Sequence, residues 1–76
     1  MSNLPQITGL ELIRALQRMG FYVNRKKGSH HFLYHFEDHS RYAIVAVHKA
    51  ETIPPGTLSS ILRTAKISVN QLKENI

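Results

Sequence analysis

Arg25-Lys26-Lys27-Gly28-Ser29-His30-His31 sets three cations, a flexible turn and two titratable rings side by side. Gly28 lets the backbone approach a ligand closely. Ser29 and its neighbouring amides can donate to a phosphate oxygen, and His30 can take or give a proton near pH 7. For cleavage of RNA this is a sufficient minimal kit. A His base removes the proton of a ribose 2′-OH, which attacks the adjacent phosphorus. Cations and amides stabilise the charge that develops on the phosphate. A positioned base contributes about 10²–10⁴-fold, and no metal is needed. Two blander readings stand beside this one. The basic run is a solvated strand end and the His pair packs on aromatic neighbours. Or the same basic face grips structured RNA by shape and phosphate contacts without turnover.

The other titratable groups add less. His31 and His35 share a strand face, but at i, i+4 they lie about 13 Å apart and do not ligate one ion together. The nearest acids in sequence, Glu37, Asp38 and Glu51, are few. No metal and no cofactor are expected. His39 sits in a polar turn and reads as solvated. His48 ends the third strand, near the Gly28-Ser29 turn or at the opposite rim according to register. The proton donor to the leaving 5′-oxygen stays open among His48, His31, a Lys and water. A slip of one residue would exchange the faces of His30 and His31. Neither a nucleophile elbow nor a phosphate loop of the P-loop type is present.

Charge agrees with an anionic partner. Ten Lys and Arg against five Asp and Glu give a net charge of +5 in 76 residues. Nucleic acid is the default partner for so basic a small domain. The excess concentrates in residues 21–36, which hold Arg25, Lys26 and Lys27 and no acid. The length allows one domain, residues 1–76, and excludes a dinucleotide-binding fold, a barrel enzyme or a two-domain cleft. The absence of Cys excludes a disulfide scaffold, a thiolate zinc site and thiol chemistry. Ala43 to Val47, the longest apolar stretch, is far too short to span a bilayer. Met1-Ser2-Asn3-Leu4-Pro5 lacks the basic and apolar regions of a signal peptide, so a cytoplasmic location without membrane contact is expected.

The elements that must position these residues are well marked. Thr8-Gly9-Leu10-Glu11 is a capping box, and Ile7 can staple onto Leu12. Leu12, Ala15, Leu16 and Met19 form the apolar stripe of a first helix, with Ile13 at its edge, and Gly20 stops it. A strand over about Phe21–Lys26 follows, with Phe21 and Val23 on one face and Tyr22 and Asn24 on the other. After the Gly28-Ser29 turn, a second strand over about His30–Glu37 presents His30, Phe32, Tyr34 and Phe36 on one face and His31, Leu33, His35 and Glu37 on the other. The aromatic set is expected to face the helices. A third strand covers about Arg41–Val47, and short loops make the three an antiparallel meander. Pro54-Pro55-Gly56 breaks the chain, and Thr57 caps a second helix striped by Leu58, Ile61, Leu62 and Ala65. Ser68-Val69-Asn70-Gln71 is a second capping box, opening a short third helix. The order is α-β-β-β-α(-α), a two-layer α+β domain whose three-stranded antiparallel sheet has helices on one face. The other face stays open to a ligand.

With its elements in this order the chain resembles the HicA family of toxin ribonucleases, from HicA–HicB toxin–antitoxin pairs. The likeness covers about Thr8 to Leu72. It rests on Met19-Gly20-Phe21, Lys27-Gly28-Ser29-His30-His31, a strand ending in His48, and Ile53-Pro54-Pro55-Gly56-Thr57-Leu58 leading into Ile61-Leu62-Arg63. The resemblance implies a fold like a double-stranded RNA-binding domain and metal-independent endonucleolytic cleavage of mRNA. It puts the catalytic His at His30 and the motif's Gly at Gly28. The implied partner is a HicB-type antitoxin that covers the active surface. On this reading Gly28 and Ser29 hold the scissile phosphate, Lys26 and Lys27 steer the RNA backbone, and His31 and His48 are secondary candidates. Two departures stand out. The Pro common just before the strand-ending His is absent from Ala46-Val47-His48, and Lys66 stands where the second helix commonly ends in Gly.

Overall fold

The computed structural model describes residues 4–76; Met1, Ser2 and Asn3, part of the stretch read for a signal peptide, lie outside the described residues. The chain runs α1 (Gly9–Arg18), β1 (Phe21–Lys27), β2 (His30–His35), β3 (Tyr42–Ala46), α2 (Pro55–Ala65) and α3 (Val69–Lys73). The three strands form one antiparallel sheet in the order β1-β2-β3. This is the α+β architecture expected, in the arrangement of a double-stranded RNA-binding domain.

Capping explains where α1 begins. Thr8 Oγ1 accepts the Glu11 amide at 3.2 Å, and Glu11 Oε1 accepts the Thr8 amide at 2.8 Å. Two donors that the first helical turn cannot satisfy are thereby paired. The helix ends at Met19, and Gly20 follows with φ at 96°, a conformation open to glycine. Leu12, Ala15 and Leu16 are fully buried and Ile13 nearly so. Gly9 is needed for a different reason. A Cβ there would overlap the carbonyl oxygen of Ala46, so α1 lies on the end of β3 at a distance only glycine permits.

The core is one cluster. Leu12 and Leu16 of α1, Leu33 of β2, Ala43 and Val45 of β3, Leu58 and Leu62 of α2 and Leu72 of α3 meet in it. The expected face of β2 is therefore reversed. Leu33 and His35 point into the core, whereas His30 and Phe36 are exposed and Phe32 and Tyr34 half-exposed on the opposite face. Pairing with β3 is the reason. Leu33 lies opposite Ala43, and His31 opposite Val45. Cross-strand partners share a face, and Ala43 and Val45 are the residues small enough to sit beneath closely packed helices. Tyr22 and Tyr42 are exposed on that face beside Tyr34.

Helix α2 begins earlier than Thr57. Pro54 is the N-cap and Pro55 the first helical residue. Proline suits that position, because its fixed φ is helical and it has no amide proton to leave unpaired. At the other end Lys66 takes the left-handed conformation, φ 59° and ψ 47°, that glycine would ordinarily occupy. Arg41 ties the sheet to this helix end: its Nε donates to the Ala65 carbonyl at 2.9 Å, and its guanidinium lies 5.4 Å from the Phe21 ring. Thr64 Oγ1 donates to the Tyr42 carbonyl at 2.8 Å, fastening α2 along β3. The second capping box forms as expected, with Ser68 and Gln71 exchanging bonds of 2.9 and 3.0 Å.

Candidate nucleic-acid interface and catalytic histidine

The turn between β1 and β2 has only two residues. Gly28 has a positive φ of 58°, and Lys27 pairs with His30 across it. A two-residue reversal with Gly at its first central position matches the twist of the strands it joins. A Cβ placed on Gly28 would meet nothing. The glycine therefore serves the backbone angle and leaves the main chain bare to solvent, rather than making room for packing.

A β-bulge decides which cations join His30. Val23 pairs with Leu33, but the next pair is Arg25 with Phe32, so Asn24 is the extra residue. With even alternation Tyr22, Asn24 and Lys26 would share the open face. The bulge instead turns Arg25 and Lys27 onto it. Three cross-strand rows result: Lys27, His30 and Ala46; Arg25, Phe32 and Ile44; Tyr22, Tyr34 and Tyr42. The Arg25 guanidinium lies over the Phe32 ring at 4.7 Å. None of these nine residues is acidic.

The proposed site residues divide accordingly. His30, Lys27 and Gly28 stand together, exposed, at the hairpin end. Lys26 pairs with His31 on the other face. His31 is half-buried, and its Nδ1 lies 3.2 Å from the Ser29 carbonyl oxygen, so it braces the turn from below. His48 falls at the same end of the sheet as the turn. Ala46 is His30's partner, and the Val47 amide donates to the Ser29 carbonyl at 2.9 Å. His48 is exposed and borders a small hollow of about 80 Å³ with Glu51, Thr57 and Ile61.

His35 and His39 behave differently from their sequence reading. His35 is 7% exposed, edge-on to Phe21 with ring centroids 5.2 Å apart, and its Nδ1 accepts the Glu37 amide. It is a core residue. His39 is exposed but not merely solvated: its Nε2 lies 3.0 Å from the Tyr22 hydroxyl and its ring 5.3 Å from that of Tyr34. The turn that carries it is held by Asp38, whose carboxylate accepts the Ser40 hydroxyl at 2.6 Å and the Ser40 amide at 3.0 Å. Those two bonds hold the Asp38 carboxyl below its ordinary range. Alternation in β2 already put Phe32 and Tyr34 on the face of His30; pairing with Ala43 and Val45 turns that face outward rather than toward the helices. Nothing local marks the bulge that adds Arg25. Among the described residues no group of three His, Asp or Glu side chains could hold a metal ion. Nor is any helix among them long and apolar enough to cross a membrane.

A basic hairpin on a sheet with one bare face, backed by helices, makes a small α+β domain with the architecture of a double-stranded RNA-binding domain. The profile of a family described as HicA toxin of bacterial toxin-antitoxin matches residues 9–67. The chain belongs to the HicA toxin family, and as a toxin of such a pair it has an antitoxin partner. No curated protein matches it.

Proposed function

We propose that this toxin is a metal-independent endoribonuclease that cleaves mRNA, with His30 as the general base. The observation that carries the reading is the exposed His30 beside Lys27, across a turn whose Gly28 backbone is open, in a chain of the HicA family. His30 takes the proton of a ribose 2′-OH. The 2′-oxygen attacks the adjacent phosphorus, and the 5′-oxygen leaves with a proton, giving a 2′,3′-cyclic phosphate and a 5′-hydroxyl end. Lys27 and the amides at Gly28 and Ser29 meet the charge that grows on the phosphoryl oxygens. Lys26 steers the RNA from the far face, where it attracts phosphate without contacting the reacting group. His48 is the nearer candidate for the proton donor, since His31 faces away and is engaged by Ser29. The antitoxin is a HicB-type protein that covers the His30 face, and the toxin acts in the cytoplasm.

The test is RNA cleavage in excess EDTA by wild type, His30→Ala and His48→Ala, each checked by circular dichroism. Cleavage should fall about 10²–10⁴-fold or more on loss of His30. Loss of His48 should lower it less. A folded His30→Ala protein of wild-type activity would sink the assignment. RNA binding at low salt with no cleavage by the wild type would favour the non-catalytic binding module on the same basic face.

A further inference from the structure

The middle row of the open face and two tyrosines of the row beside it form a shallow cup. Arg25, Phe32, Tyr34, Tyr42 and Ile44 enclose about 340 Å³. Its walls are flat and apolar, and its rim carries the Arg25 guanidinium, stacked 4.7 Å over Phe32. Tyr42 and Ile44 stay 40% and 43% exposed, a large apolar exposure for so small a chain. Tyr34 is held in place by His39 on its outer side. The cup lies next to the His30 row, and adjacent rows in a strand are separated by about 6.8 Å. One nucleotide step of an extended single strand has a similar length.

We propose that this cup is a base-stacking subsite, and that the toxin therefore takes single-stranded RNA. The proposal rests on cleavage at His30 and names the form of RNA that reaches it. With the scissile phosphate at His30 and Lys27, the neighbouring nucleotide reaches the cup, where its base stacks on the Arg25 guanidinium, itself seated over Phe32, and against Tyr42. Aromatic side chains accept any base in this way, because every base has a π-face. A paired base has both faces hidden in its helix, so a duplex gains nothing from the cup. Charge selects RNA over an apolar protein segment as the occupant. Lys27 and His30 stand in the row next to the cup, and none of the nine residues in the three rows is acidic.

A built-in reporter makes the test direct. All three tyrosines of the chain, Tyr22, Tyr34 and Tyr42, lie on this face, and there is no Trp. The His30→Ala protein, which should bind without cutting, is titrated with a short single-stranded RNA oligonucleotide and with its blunt duplex. Tyrosine fluorescence should be quenched saturably by the single strand and far less by the duplex. Adding Tyr42→Ala, an exposed change, or Phe32→Leu should weaken single-strand binding by roughly 5- to 150-fold with an unchanged circular dichroism spectrum. In the cleaving protein, Tyr42→Ala should raise KM and leave kcat nearly intact. Single-strand binding without quenching overturns the subsite, as does equal binding of the duplex or an unchanged affinity in Tyr42→Ala. Quenching by the purified antitoxin but not by RNA assigns the face to protein contact and also overturns it. Cleavage that persists through any of these results leaves His30 standing, whereas saturable quenching by a wild type that never cleaves removes the catalytic reading and keeps the subsite.

Discussion

Lys66 and Gly28 hold the same kind of backbone angle with opposite chemistry. Gly28 reaches φ 58° at no steric cost. Lys66 reaches φ 59° with a Cβ that crowds the following carbonyl, a strain of roughly 1–2 kcal/mol. Its amide still donates to the Arg63 and Leu62 carbonyls, so the position is a working helix end. Lys66→Gly keeps those bonds and removes the strain, less the greater freedom glycine has when unfolded. The expected gain is about 0.5–1 kcal/mol. That is a rise of about 2–8 °C in the thermal midpoint for a domain of this size. A fall in Tm would show that the Lys66 side chain, which reaches Ser40 at 3.3 Å, contributes more than the angle costs. The departure at Lys66 was visible in the sequence, but its backbone angle was not, because the angle follows from where Ile67 must enter the core.

Among the elements, α1 meets the end of β3 at very close range. Gly9 makes this possible, since a Cβ would overlap the Ala46 carbonyl oxygen. The Thr8 backbone bridges to Thr52 and the Ile53 amide donates to the Ile7 carbonyl at 2.8 Å, so the helix start is held on both sides. Gly9→Ala must push the two apart, at a cost of about 1–3 kcal/mol. Chemical denaturation should show a lower midpoint with an unchanged slope. Ala46 is also the β3 partner of His30, so the same substitution should lower RNA cleavage more than stability alone explains. Unchanged stability would mean that α1 slides along the sheet without penalty. Element identity was legible here: both capping boxes and the stripe of Leu12, Ala15 and Leu16 stand as read. The start of α2 was not, because Pro54-Pro55 reads as a breaker unless the first helical position is recognised as one that proline favours.

For the whole molecule, the proposed function has a net charge of +5 meet RNA through few contacts. Arg25, Lys26 and Lys27 are the cations nearest the hairpin, and three phosphate contacts on a single strand give a slope of about −2 in log affinity against log salt. Fluorescence titration of His30→Ala across salt concentrations checks this. An affinity independent of salt would move the basic residues to a solubility role. Lys26→Gln should flatten the slope by somewhat under one unit without changing the preference for a single strand, because it stands on the face opposite the cup.

The sequence alone determined the order of the elements, the capping boxes of α1 and α3, the helix stripes and the concentration of charge before His30, because each of these follows from local spacing. It carried the family as well, through short motifs in a fixed order. Which face of β2 looks outward was decided only in three dimensions. Alternation offers two faces, and the choice belongs to Ala43 and Val45, which lie opposite in the fold but ten or more residues away in the chain. The bulge at Asn24 settled the company of His30 in the same way, by turning Arg25 and Lys27 onto its face and leaving Lys26 with His31. A bulge shifts every later side chain on its strand by one, and its position is set by how β1 must pair with β2 over the whole hairpin.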